Sequence, residues 1–181
     1  MSEQKRLAIG AVAPNFNLPG VDKKQYSLES FKEKSIVVII FSCNHCPYVK
    51  AYEDRMIALQ SKFQDQGVAL VAINANETEL HPEDTFENMI IRARDKQFNF
   101  PYLRDEDQKV AEAYGAHYTP EVFLLDQNRQ LKYTGRIDDN WQQPNAVKTH
   151  DLEEAIQATL SKKPIAHTET QAVGCTIKWA K

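Results

Sequence analysis

The chain has 181 residues, enough for one domain with a substantial core. Its 42% hydrophobic and 26% charged content is that of an ordinary soluble globular protein. Basic residues number 22 against 25 acidic ones, giving a net charge of −3 with no Lys/Arg-rich stretch; nucleic acid is excluded as an expected partner, because gripping a phosphate backbone needs a basic face.

No segment approaches the roughly 20 apolar residues of a spanning helix. Met1 to Leu7 is charged, with no apolar run behind it, so neither a membrane partner nor a secretory signal is expected, and the expected location is the cytoplasm. With no repeat, low-complexity tract or Gly/Ser linker, a single domain is expected over residues 1–181, with a core of about 12–161 and a tail of 162–181.

Ala13 to Gly20 is extended chain running into a turn at Asp22-Lys23-Lys24. Tyr26-Ser27-Leu28 returns as a short strand, making an N-terminal hairpin. Ser35 to Phe41 is a β-branched run without alternation, which suits a central strand buried on both faces. Tyr48, Val49, Tyr52, Met56, Leu59 and Phe63 recur at helical spacing, predicting an amphipathic helix from Pro47 to about Gln66, stopped at Gly67. Val68 to Ile73 is a second buried strand and completes a right-handed βαβ unit.

Pro82-Glu83-Asp84 opens an inserted helix carried by Phe86, Met89, Ile90 and Ala93. Phe100 to Leu103 fits an edge strand. Asp105 with Gln108 resembles a capping box before a short helix ending near Gly115. Val122–Leu125 and Leu131–Thr134 form an antiparallel hairpin, and a last helix with Asp151, Glu153 and Glu154 in its first turn runs to Leu160. In the tail, Cys175, Ile177 and Trp179 alternate as an apolar face, the pattern of a segment that docks as an extended strand. The whole is an α/β, thioredoxin-like layout: a central mixed sheet flanked by helices, with an N-terminal hairpin, an inserted helix and a C-terminal tail extension.

Three cysteines are too few for a disulfide scaffold. Cys43 and Cys46 form a C-x-x-C between the buried strand and the long helix, where unpaired N–H groups and the helix dipole favour a thiolate. That position makes the pair catalytic. Cys43, earlier and expected to be more exposed, is read as the nucleophile, and Cys46 as the resolving thiol. His45 can place positive charge beside Cys43 and tune its pKa. A zinc half-site is the competing reading. Zinc needs four ligands, and His81, His117, His150 and His167 are scattered singly, so no metal or other cofactor is expected unless Cys175 or a histidine completes the site.

In a thioredoxin fold the loop before the hairpin strand carries a cis proline facing the cysteines. Thr119-Pro120 stands there, and the Thr119 backbone would offer an edge on which an extended substrate peptide can pair. Cys175 is either a packing residue under the docked tail or a third redox thiol able to pair with Cys43 or Cys46.

Phe41-Ser42-Cys43-Asn44-His45-Cys46-Pro47-Tyr48-Val49, the Thr119-Pro120 loop and Gly174 to Trp179 together resemble the peroxiredoxin-like proteins of the thioredoxin superfamily, relatives of the alkyl hydroperoxide reductase/thiol-specific antioxidant group. The resemblance implies that Cys46-Pro47 takes the place of a peroxidatic cysteine and its proline. Two departures weaken a peroxidase reading. Cys43 replaces the Thr or Ser three positions earlier, and Thr119-Pro120 replaces the expected Arg. A third departs from thioredoxin itself: Val37 stands where thioredoxin has a buried proton-accepting Asp, so another group must serve.

The reading that follows is a thiol–disulfide oxidoreductase acting on protein disulfides or dithiols, resupplied by an electron-donating reductase. A thiol peroxidase using Cys46 is the second reading, because low-pKa accessible thiols react with peroxide anyway. The third is a non-enzymatic partner- or metal-binding module.

Overall fold

The computed structural model describes residues 5–181. A short hairpin, β1 (Leu18–Pro19) against β2 (Gln25–Tyr26), leads to β3 (Ile36–Phe41). Every residue of β3 is buried, which explains why its sequence shows no alternation. Helix α1 (Pro47–Phe63) crosses to β4 (Val68–Asn74), parallel to β3, after Gly67 turns the chain with φ of 76°. β5 (Tyr102–Arg104) extends the sheet in parallel as its edge. β7 (Glu121–Leu125) pairs antiparallel with β3, and β8 (Leu131–Gly135) with β7, giving the order β5-β4-β3-β7-β8.

Side chains alternate strictly across this sheet. Val38, Ile40, Leu70 and Leu124 face α1, α2 (Phe86–Lys96) and α4 (Asp151–Leu160). Val37, Ile39, Val71 and Phe123 face the N-terminal segment and α3 (Lys109–Tyr114) on the other side.

Two helix starts differ from expectation. Pro82–Asp84 forms only a 3-10 turn. The α-helix begins at Phe86 because the Thr85 hydroxyl accepts from Asn88 N–H and caps it, and the turn before it directs Asp84 inward. Asp105 does cap α3, its carboxylate accepting from Val110 and Ala111 N–H. Gln108, however, is no capping-box partner; its amide reaches the tail, where β9 (Cys175–Thr176) pairs antiparallel with β6 (Tyr118–Thr119).

Candidate active site

The cysteine pair sits where β3 gives way to α1. Pro47 disfavours helical geometry for the residue before it and is itself preorganised for the first helical position. Cys46 is therefore extended (φ −67°, ψ 126°) and forms the N-cap of α1. Cys43 lies in the loop three residues earlier. The cysteine at the helix N-terminus is thus the second of the pair.

This arrangement favours the opposite polarity to the one expected. Cys43 is 2% exposed rather than open to solvent, and Cys46 is 0% exposed. The Cys46 thiol is pulled down to about 4, first by hydrogen bonding with Cys43, against the cost of burial, and further by hydrogen bonding with Cys175 and the nearby N–H of Val49. The Cys43 thiol is pushed far above the ordinary range, first by its hydrogen bond to Cys46, then by burial and the charge of Asp84. Together with the helix N-terminus at Cys46, these directions favour the thiolate on Cys46 over Cys43.

His45 does lie beside Cys43, but it faces a carboxylate. Its Nδ1 is 2.6 Å from Asp84 Oδ2, in a contact poorly aligned for a hydrogen bond. Its ring stacks on His81, with centroids 5.9 Å apart. Asp84 is fully buried. Asp84 Oδ1 accepts from Asn44 N–H (2.7 Å) and Asn74 Nδ2 (3.1 Å), and Oδ2 from Asn76 Nδ2 (3.0 Å). Tyr102 joins the network, its hydroxyl donating to Asn44 Oδ1 at 2.8 Å. Donor atoms of Cys43, His45 and Asp84 all lie within 4.8 Å of one another. A metal could draw on these three, but a tetrahedral ion takes four ligands, and both Asp84 oxygens already accept amide hydrogen bonds. The same closeness puts a buried carboxylate oxygen within 4.8 Å of the Cys43 sulfur. A buried carboxylate is the kind of group missing at Val37, whose side chain lies in the apolar core.

The Thr119–Pro120 bond is cis, and the loop packs on the cysteines: Thr119 Oγ1 is 3.6 Å from Cys43 Sγ and its carbonyl oxygen 3.4 Å from Cys46 Sγ. The Thr119 edge, expected to be open to a peptide, is filled by the chain's own β9. Cys175 belongs to that strand, its Sγ 2.9 Å from Cys46 Sγ. Tyr48 packs beside the three cysteines and against Trp141, with ring centroids 4.3 Å apart.

Asp84, Asn74, Asn76 and Gln108 were missed from sequence. One signal existed: Asn74 closes an otherwise apolar strand and Asn76 follows it at the carboxyl end, where α/β sheets gather their sites. Asp84 looked like an acidic first-turn helix residue, and nothing local marks it as buried.

A cis-proline loop over a cysteine pair at the strand–helix junction of this mixed sheet defines a thioredoxin-like protein. The chain belongs to the AhpC/TSA family, whose pattern it matches over residues 9–134. It is 26% identical over 133 residues to the thiol-disulfide oxidoreductase ResA of Geobacillus thermodenitrificans, covering 72% of this chain and 71% of that one. Among solved structures, an uncharacterized conserved protein of Geobacillus kaustophilus is 36% identical with a TM-score of 0.91, covering 97% of this chain and 94% of that one. A thioredoxin-family thiol:disulfide interchange protein of Chlorobium tepidum shares the fold alone, at a TM-score of 0.66 and 19% identity over 84% of this chain and 98% of that one.

Proposed function

We propose that this chain is a thiol–disulfide oxidoreductase that exchanges disulfides with protein thiols through Cys43 and Cys46. The observation that carries the reading is the paired thiol and thiolate beneath the Thr119–Pro120 loop, and its likeness to ResA supports it. When β9 lifts from the Thr119 edge, the Cys46 thiolate attacks one sulfur of a disulfide; a mixed disulfide forms, and the other sulfur leaves as a thiolate. Cys43 then passes its proton to Asp84 and attacks Cys46 Sγ, closing the Cys43–Cys46 disulfide and releasing the second sulfur. Two electrons reach the substrate, and an electron-donating reductase restores the dithiol. Reduction of insulin by dithiothreitol tests this. The parent should accelerate precipitation of the insulin B chain, and Cys46→Ser should abolish the acceleration. A parent no faster than dithiothreitol alone would overturn the reading.

A second reading, thiol peroxidase, is favoured by one observation: Cys46 is a thiolate directly before Pro47 at a helix N-terminus. Peroxide consumption with a thiol reductant distinguishes it. We place the chain in the cytoplasm, since its three cysteines serve chemistry rather than a scaffold, and recovery in the membrane fraction of its cells would overturn that.

A further inference from the structure

Gly174 passes so close to the proline loop that a Cβ there would lie 2.1 Å from Thr119 O, so only glycine permits the approach. Cys175 then stands opposite Thr119 in antiparallel register, and Thr176 opposite Tyr118. Beyond it the tail is clasped. Ile177 is buried and donates to His117 O (2.8 Å), while Lys178 N–H donates to Asn76 Oδ1 (2.9 Å). Gln108 holds both sides, donating to Lys178 O (2.8 Å) and accepting from Ala180 N–H (2.9 Å). The chain thus lays its own cysteine-bearing strand along the edge a substrate peptide would use, with Cys175 Sγ 2.9 Å from Cys46 Sγ. Cys43 and Cys46 are sealed beneath it, whereas Cys175 is partly exposed.

We propose that Cys175 is a third redox residue, forming with Cys46 a second internal disulfide that alternates with Cys43–Cys46 and is the one external thiols reach. This rests on the dithiol–disulfide reading of the Cys43–Cys46 pair. Interconversion is a neutral exchange: the Cys175 thiolate attacks Cys46 Sγ, the Cys46–Cys175 bond forms, the Cys43–Cys46 bond breaks, and the electron pair leaves on Cys43, which takes up the proton given up by Cys175. An external thiolate then attacks Cys175 Sγ. Its bond to Cys175 forms, the Cys46–Cys175 bond breaks, and Cys46 leaves with the electron pair as the thiolate its surroundings favour. A second external thiolate attacks the external sulfur of the mixed disulfide and frees Cys175, so one external disulfide forms for each internal disulfide reduced. Exchange requires access to the attacked sulfur and a leaving group that tolerates negative charge, and the Cys175–Cys46 arrangement meets both conditions.

The test uses reduced glutathione as the external thiol. Cys43→Ser, oxidised with one equivalent of diamide, should give a Cys46–Cys175 bridge in non-reducing peptide mass mapping. Brief exposure to glutathione should then place the adduct on Cys175, leaving Cys46 free. Gly174→Ala, made in the Cys43→Ser background, touches no sulfur and should lower the yield of that bridge at least fivefold. Reduction of the diamide-oxidised parent by glutathione should be at least tenfold faster than that of Cys175→Ser or Cys175→Ala. A bridge absent from Cys43→Ser, an adduct on Cys46, or equal reduction rates with and without Cys175 would each overturn the proposal. Insulin reduction by the parent stays an independent readout of the dithiol–disulfide reading: if it persists at the parent rate in Cys175→Ser, the relay fails and the reading stands.

Discussion

A negative charge on Cys46 would have almost no solvent around it, and its neighbours supply what water does not. Thiolate absorbance at 240 nm should therefore follow one group that stays ionised down to about pH 4. Cys46→Ser should remove that signal and Cys43→Ser should leave it; the opposite result would return the thiolate to Cys43. The same shift predicts a pH dependence of stability. A thiol depressed from its ordinary 9.0 to about 4 stabilises the reduced fold fully above pH 9, and this contribution drains away as pH falls toward 4. The loss of urea resistance caused by Cys46→Ser should thus be larger at pH 7.5 than at pH 4.5. Asp84 offers a second test. Removing its carboxylate as Asp84→Asn keeps the shape but takes away the acceptor for the Cys43 proton, so insulin turnover should fall about 100-fold near pH 7. The deficit should shrink as pH rises and hydroxide takes over; a uniform deficit across pH would mark a packing role instead.

Among the elements, the tail strand is held by buried Ile177 and by hydrogen bonds to distant parts of the chain. Gln108 provides two hydrogen bonds to it, each contributing about 1 kcal/mol. Gln108→Ala should make opening of residues 175–180 about 30-fold more frequent. Hydrogen exchange of the Ile177 and Lys178 amides reads this directly, and unchanged protection would place the clasp elsewhere. Pro47 acts at the same scale. By ending the extended segment at Cys46 it decides which cysteine receives the helix N-terminus.

The molecule as a whole is a sheet buried on both faces, and the site lies at the end of its central strand. Ile39 is fully buried and stands between Val71 and Phe123 in the register of β3 with its two neighbours. Ile39→Ala should cost about 2–5 kcal/mol of unfolding free energy, seen as a lower urea midpoint, while the Cys46 titration of the folded protein stays that of the parent. A cost under about 1 kcal/mol would mean that the sheet repacks around the gap.

By itself the sequence determined many of the features that depend on neighbours along the chain. The unalternating run at 36–41, the helical spacing after Pro47, the turn at Gly67, the hairpin after Thr119-Pro120 and the apolar alternation of Cys175, Ile177 and Trp179 each appear in the fold, because each is set by local sterics or by which faces must be buried. The cysteine pair was legible for the same reason. Pro47 sets locally which cysteine caps the helix, but only the tertiary structure decided the rest of the charge balance, which depends on groups brought together from afar: Asp84 40 positions from Asn44, Thr119 73 positions from Cys46, and Cys175 129 positions from Cys46. Whether the peptide edge stands open or carries the chain's own strand was settled there too. The balance between a thiol and a thiolate is an electrostatic sum over everything nearby in space, and distance along the chain gives no measure of that.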